Sequence, residues 1–210
     1  RLPGERQLER AAAVLNEGKK VCILAGQGAL GARGQLLELA DRLGAPVAKA
    51  LLGKGAIPDD SEFSTGGVGL LGTKASQQAL EDCDTLLIVG SSFPYIEFYP
   101  KPGQARAVQI DLDPARIGLR YPVEAALVGD SARVLDELLP RLEAKRDRSF
   151  LESAQKEMLA WRELMQERGT RTDMPMKPQV VTWELDRLLT DDAIVATDSG
   201  TITTWVAKSG

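Results

Sequence analysis

Val21-Cys22-Ile23-Leu24-Ala25 is an unbroken apolar run that ends on Gly26-Gln27-Gly28-Ala29-Leu30-Gly31 and leads into helix-type spacing from Gln35 to Leu43. A run that short, with no polar face, reads as a strand covered on both sides of a sheet. The helical stretch stops at Gly44, and Pro46 to Ala50 is the next candidate strand. Strand, turn, helix and strand within so few residues predict a parallel βα unit.

The same alternation extends outward. Gln7 to Leu15 carries helical spacing, with Gly18 read as its C-cap glycine. Lys74 to Glu81 is a short helix, and Thr85-Leu86-Leu87-Ile88-Val89 is the clearest strand, ending at Gly90. Ala107 to Leu112 and Ala125 to Val128 are further strands, and Ser131 is read as the N-cap of a helix that ends near Pro140. Gly53 to Gly72 is rich in glycine and turn signals and reads mostly as loop. The expected fold class is α/β: a Rossmann-like parallel sheet flanked by helices, followed by a fragment of a second α/β domain. The boundaries expected are 1–145 for the first domain, 146–177 for a linking helix and linker, and 178–210 for the start of the second. Leu151, Met158, Leu159, Trp161 and Leu164 lie at helical spacing in the charged stretch, which predicts a surface helix packed on the first domain. Beyond the linker, Val180 to Leu189 reads as a helix and Ala193-Ile194-Val195-Ala196-Thr197 as a strand before a short tail.

Composition limits the chemistry. Histidine is absent from the 210 residues, so no Ser–His or Cys–His nucleophile and no His-bound metal can form within this chain. The net charge is −4 with the signs interspersed, which argues against a nucleic-acid partner. Cys22 and Cys83 sit in or beside apolar runs and read as buried free thiols, which suits a reducing, cytoplasmic compartment. No apolar run approaches the ~18 residues of a membrane span, and Arg1-Leu2-Pro3-Gly4 reads as chain entering a domain rather than a signal peptide.

Ligands of open parallel sheets bind at the carboxyl ends of the strands, and those ends here are glycine-rich. Gly26 to Gly31 matches G-x-G-x-x-G in the right context, between a strand and a helix. It also suits a tight βα turn without ligand. The acid that a nicotinamide site needs at the end of the next strand is replaced by Ala48-Lys49-Ala50. Asp111, at another strand end, is read as an acceptor for ribose or ribityl hydroxyls. Asp113, just before Pro114, is read as an N-cap. Ser91-Ser92-Phe93-Pro94-Tyr95 suits either a cofactor cleft or a loop whose aromatic rings cover the sheet. Thr197-Asp198-Ser199-Gly200-Thr201 holds hydroxyls and a glycine that suit phosphate oxygens.

Several stretches taken together resemble the flavin-containing pyruvate oxidases that use thiamine diphosphate, the family that includes the quinone-dependent pyruvate dehydrogenases. They are Gly66-Gly67-Val68-Gly69-Leu70-Leu71-Gly72, Gly90 to Tyr95 with Phe98-Tyr99-Pro100, Gln109 to Gly118, Ala126-Leu127-Val128-Gly129-Asp130, and Asp191 to Trp205. Each alone is shared with acetolactate synthases and 2-oxo acid decarboxylases; the run from Phe93 to Pro100 points to the oxidase branch. The resemblance implies FAD contacts at Gly69, Leu70 and Leu71, at Ser91, Ser92, Phe93, Pro94 and Tyr95, and at Asp111, with Gly26 and Gly28 near the pyrophosphate. It places Gly200 and Thr201 at the diphosphate of thiamine diphosphate. It implies Mg2+, an activating glutamate and catalytic histidines outside this chain, so no catalytic residue and no metal ligand is expected within it. The implied partners are pyruvate or a related 2-oxo acid, a quinone or oxygen as acceptor, and further copies in a homodimer or homotetramer. The implied location is the cytoplasm or the inner face of the membrane. Two other readings stand beside this one. The first is the middle domain of a non-flavin thiamine-diphosphate enzyme, acetolactate synthase-like or a 2-oxo acid decarboxylase or lyase. The second is a nucleotide-binding module without chemistry.

Overall fold

The computed structural model describes residues 2–190 and 192–209; Arg1, Asp191 and Gly210 lie outside the described residues. Six strands form one sheet: β1 (Val21–Ala25), β2 (Val47–Lys49), β3 (Ser64–Gly67), β4 (Thr85–Val89), β5 (Arg106–Asp111) and β6 (Ala125–Val128). Their order is β3-β2-β1-β4-β5-β6, and every neighbouring pair is parallel. The central pair runs in register from Val21 opposite Thr85 to Ala25 opposite Val89. Strand order reverses between β1 and β4, so the chain leaves their carboxyl ends in opposite directions and opens a crevice there.

Alternating side chains divide the core into two layers. Val21, Ile23, Ala25, Leu87, Val89, Val108 and Ile110 face α1 (Glu5–Glu17), α2 (Arg33–Leu43) and α4 (Ser131–Leu138). Cys22, Leu24, Leu86, Ile88 and Ala107 face α3 (Lys74–Asp82) and an aromatic cover made by Phe93, Tyr99 and Tyr121. The expected free thiols are present, both buried. The long helix α5 (Ser149–Gly169) packs on the domain, burying Leu151 and Met158 as expected and Met165 besides, while Trp161 and Leu164 are half-buried and Leu159 is exposed. Each buried side chain contributes roughly 1.5–3 kcal/mol. The exposed Lys74–Glu157 pair that also ties α5 to α3 contributes only about 0–1 kcal/mol. Apolar burial therefore holds this helix. Among the described residues no helix is long and apolar enough to cross a membrane.

Two expectations need refinement and two need correction. The stretch from Gly53 to Gly72 is mostly turn and loop as expected, but it also holds the end of a 3-10 segment (Leu51–Ala56) and the edge strand β3. β3 forms because β2 offers an open edge. Val47 N–H donates to Phe63 O at 2.8 Å and Val68 N–H to Lys49 O at 3.0 Å. Gly18 is the C-cap of α1 as expected, its N–H donating to Val14 O at 3.2 Å, but it is not left-handed (φ −59°); a Cβ there would lie 2.3 Å from Thr85 Oγ1, so close approach to β4 selects glycine. Asp130, not Ser131, caps α4, accepting from Arg133 N at 3.2 Å. Ala193 to Thr197 is not a strand, and the tail from Thr201 is a helix, α7 (Thr201–Ser209), preceded by α6 (Pro178–Asp186). A strand needs a neighbour for its N–H and C=O groups. None of the six strands pairs with this run, where Ile194 is 98% exposed.

Candidate functional site

The crevice at the switch point is built by glycine. Gly26 N–H donates to Val89 O at 2.9 Å, and Gly28 N–H donates to Gly90 O at 3.0 Å. A Cβ on Gly28 would stand 2.8 Å from Gly90 Cα, and one on Gly26 would stand 2.4 Å from Gly90 O. Gly90 itself has φ +57°, in the left-handed region where a side chain is strained. The G-x-G turn therefore locks the loop after β1 onto the loop after β4, and these two N–H groups are committed to carbonyls. The first turn of α2, whose N-cap Ala32 makes no side-chain hydrogen bond, keeps N–H groups for an outside acceptor.

Beside this lock lies a cleft of about 370 Å3 lined by Gln27, Gly28, Gly90, Asp111, Arg116 and Asp130, among others. β5 ends on Asp111, which is 5% exposed and accepts from Asp113 N–H at 3.0 Å through Oδ1. Asp113 caps the short 3-10 turn Pro114–Arg116, accepting from Ala115 N–H at 3.0 Å, as its sequence context predicts. Asp111, Asp113 and Asp130 line the cleft against the single guanidinium of Arg116. That acceptor-rich lining suits hydroxyl groups, which donate to carboxylates.

The other positions expected to meet flavin lie along the same carboxyl edge. Gly26 packs on Ser91, and Gly69 (φ +95°) packs on Phe93, whose Cζ lies 3.0 Å from where a Cβ would sit. Phe93 is buried against Tyr99, with ring centroids 6.0 Å apart, and accepts Tyr99 Oη–H at its carbonyl at 3.0 Å. Ser91 is buried, Ser92 and Leu71 are half-buried, and Leu70, Pro94 and Tyr95 are exposed. Gly26, Gly28, Gly69 to Leu71, Ser91 to Tyr95 and Asp111 thus form a continuous strip from β3 to β5, with Phe93 also covering the sheet. Burial pushes the Tyr99 phenol well above its ordinary value, so it stays protonated.

Gly200 and Thr201 stand apart from the strip, at the start of α7; Gly200 N–H turns back to Asp198 O at 2.9 Å. Sequence reasoning missed Arg116, Asp130 and Ser131 as cleft residues. The signal was present in Gly129-Asp130-Ser131, a capping pattern at a strand end. It also missed Lys49, a buried lysine at the end of β2, because a lone cation in an apolar run carries no motif.

Known proteins are similar to this chain. The chain is 42% identical over 206 residues to the putative thiamine pyrophosphate-containing protein YdaP of Bacillus subtilis, covering 98% of this chain and 36% of that protein. It is 34% identical to the probable acetolactate synthase large subunit of Methanocaldococcus jannaschii, covering 96% of this chain and 36% of that subunit. It is 32% identical to the acetolactate synthase large subunit of Haemophilus influenzae, covering 92% of this chain and 35% of that one. The chain thus spans about a third of the length of these relatives. Residues 8–138, which hold all six strands and both core layers, match the family described as thiamine pyrophosphate enzyme, central domain, and the chain belongs to it.

Proposed function

We propose that this chain is the central domain of a thiamine-diphosphate-dependent enzyme acting on pyruvate or a related 2-oxo acid, with acetolactate formation favoured over oxidative decarboxylation. The observation that carries this reading is the similarity to acetolactate synthase subunits along nearly the whole of this chain, over 96% and 92% of it. Thiamine diphosphate, when bound, supplies the carbanion chemistry. This chain's part is to bind and position. Thr201 opens α7, and the first-turn N–H groups of a helix suit a diphosphate; Mg2+ would be held elsewhere in the full enzyme. Assembly with further copies of the chain belongs to the same reading.

A flavin reading is favoured by one observation, the buried Asp111 carboxylate in a cleft that suits hydroxyl groups. Asp111 would hold the sugar or ribityl hydroxyls of FAD, and the strip from Gly69 to Tyr95 would lie along its length. Two experiments separate these claims. The full-length enzyme given pyruvate, thiamine diphosphate and Mg2+ is expected to form acetolactate without an added electron acceptor. Reduction of a quinone or oxygen in place of acetolactate would overturn the first reading. Titration of this chain with FAD, followed by flavin fluorescence, is expected to saturate in the micromolar range and to fail in Asp111→Ala. Binding that Asp111→Ala leaves unchanged would remove Asp111 from the flavin reading.

A further inference from the structure

A second cleft, of about 360 Å3, lies between the carboxyl ends of β2 and β3 and the helices α5 and α6. At its base is Lys49, whose side chain is 1% exposed. The ammonium is held by Ile57 O at 3.2 Å and by the Asp59 carboxylate. Burial of an ammonium costs several kcal/mol, and an apolar residue in its place is commonly neutral or stabilising. β2 already places Val47 and Ala48 in the core, so the fold does not need a charge at the next position. Its counter-ion is also poorly placed for a structural role: Asp59 is 52% exposed and lies on the turn after Pro58.

Two more cations converge on that residue. Lys54 Nζ lies 3.4 Å from Asp59 Oδ2, and Arg162 of α5 donates to Asp59 O at 3.1 Å. Asp60 adds a favourable field at Lys49 without lining the cleft. The charged lining therefore holds three cations and one carboxylate, and Met158, Trp161, Met165 and Trp183 supply an apolar part of the wall. Trp183 is fixed by glycine: a Cβ on Gly169 would lie 2.3 Å from the indole.

We propose that this cleft binds a small organic anion with a flat apolar body, its carboxylate or phosphate taken by Lys49, Lys54 and Arg162 and its body laid on the tryptophans, while Asp59 occupies the anion position in the free protein. The site shares only Leu71 with the flavin strip and does not depend on the function proposed above. Because Asp59 competes with the ligand, its removal strengthens binding, whereas a purely structural Lys49–Asp59 pair would weaken with either partner.

The probes are phenylpyruvate and phenyl phosphate, titrated into the whole chain by calorimetry with tryptophan fluorescence as a second readout. Saturable binding of either probe supports the site, and the tighter one names the head group. Lys49→Met is expected to weaken binding about tenfold, as loss of a charged hydrogen bond does. Asp59→Asn is expected to tighten it about threefold, in the range of an exposed ion pair. Arg162→Gln, which leaves the core intact, weakens it as a second check if Lys49→Met fails to fold by circular dichroism. Asp111→Ala leaves it unchanged, separating this cleft from the one at the switch point. Binding of neither probe to the wild type or to Asp59→Asn overturns the proposal, as does weaker binding in Asp59→Asn.

Discussion

Gly28 and Gly90 meet backbone to backbone across the switch point, and that contact sets what each glycine of the fingerprint is for. A methyl on Gly28 would press on Gly90 Cα at 2.8 Å, and the atoms it meets are backbone, which does not yield as a side chain does. Gly28→Ala is therefore expected to lower stability by about 1–3 kcal/mol, as overpacking does, measured as a shift of the urea midpoint. The third glycine of the pattern differs: a Cβ on Gly31 would meet nothing within 4 Å, and its φ is not positive. Gly31→Ala is expected to be neutral or to stabilise by about 0.4–1 kcal/mol through the unfolded chain. Equal losses at the two positions would contradict this division. The pattern was legible in the sequence, but its use was not, because the surface that Gly28 approaches is supplied by Gly90, far along the chain. Asp111 was legible for the opposite reason: a carboxylate at the end of an apolar strand stands out locally.

At the scale of elements, the sequence shows what is hydrophobic by itself and hides what is made by a neighbour. β1, β4 and β6 match their apolar runs to the residue. β3, Ser64-Thr65-Gly66-Gly67, has almost no strand propensity and exists because β2 leaves an edge and α3 pins the far side. Ser76 Oγ on α3 is fully buried, donates to Thr65 O at 2.8 Å and lies 2.9 Å from Thr65 Oγ1. Thr73 is the hinge of this arrangement. Its hydroxyl donates to Thr65 O and accepts from Ser76 N–H at 3.0 Å, capping α3. Thr73→Ala removes the cap and one tie to β3, an expected loss of about 0.5–2 kcal/mol, and hydrogen exchange should rise first at Val68 N–H, which bonds to Lys49 O. Protection that falls uniformly over the sheet would show that β3 is not held locally. The run from Ala193 to Thr197 is the converse case, strand-like in composition but without a neighbour among the six strands.

Across the whole molecule, the order β3-β2-β1-β4-β5-β6 follows from apolar strands alternating with helices, but the filling of the second layer does not. That layer is completed by one helix, two thiols and an aromatic cover, and its polar atoms titrate in the alkaline range. Burial raises the Cys22 thiol well above its ordinary 9.0 and pushes Cys83 up to about 12; it also raises Tyr99 and Tyr121. In the unfolded chain the thiols ionise from about 9.0 upward, while the folded protein keeps their protons. The unfolded state then binds fewer protons, so stability is fully present below pH 9.0 and falls as pH rises from there towards 12. Lys49 and Lys145, lowered by burial, act in the opposite sense just below 10.5. The contribution of the thiols is isolated by difference. Cys22→Ala with Cys83→Ala should lower the urea midpoint at pH 7 through lost packing, yet show a shallower decline above pH 9 than the wild type. Parallel declines in the two proteins would place the alkaline sensitivity in the tyrosines. The same burial predicts that an aromatic disulfide reagent at pH 8 labels neither thiol until the chain unfolds. Labelling at the rate of unfolding, rather than in a fast phase, would tie both cysteines to the global opening of the sheet.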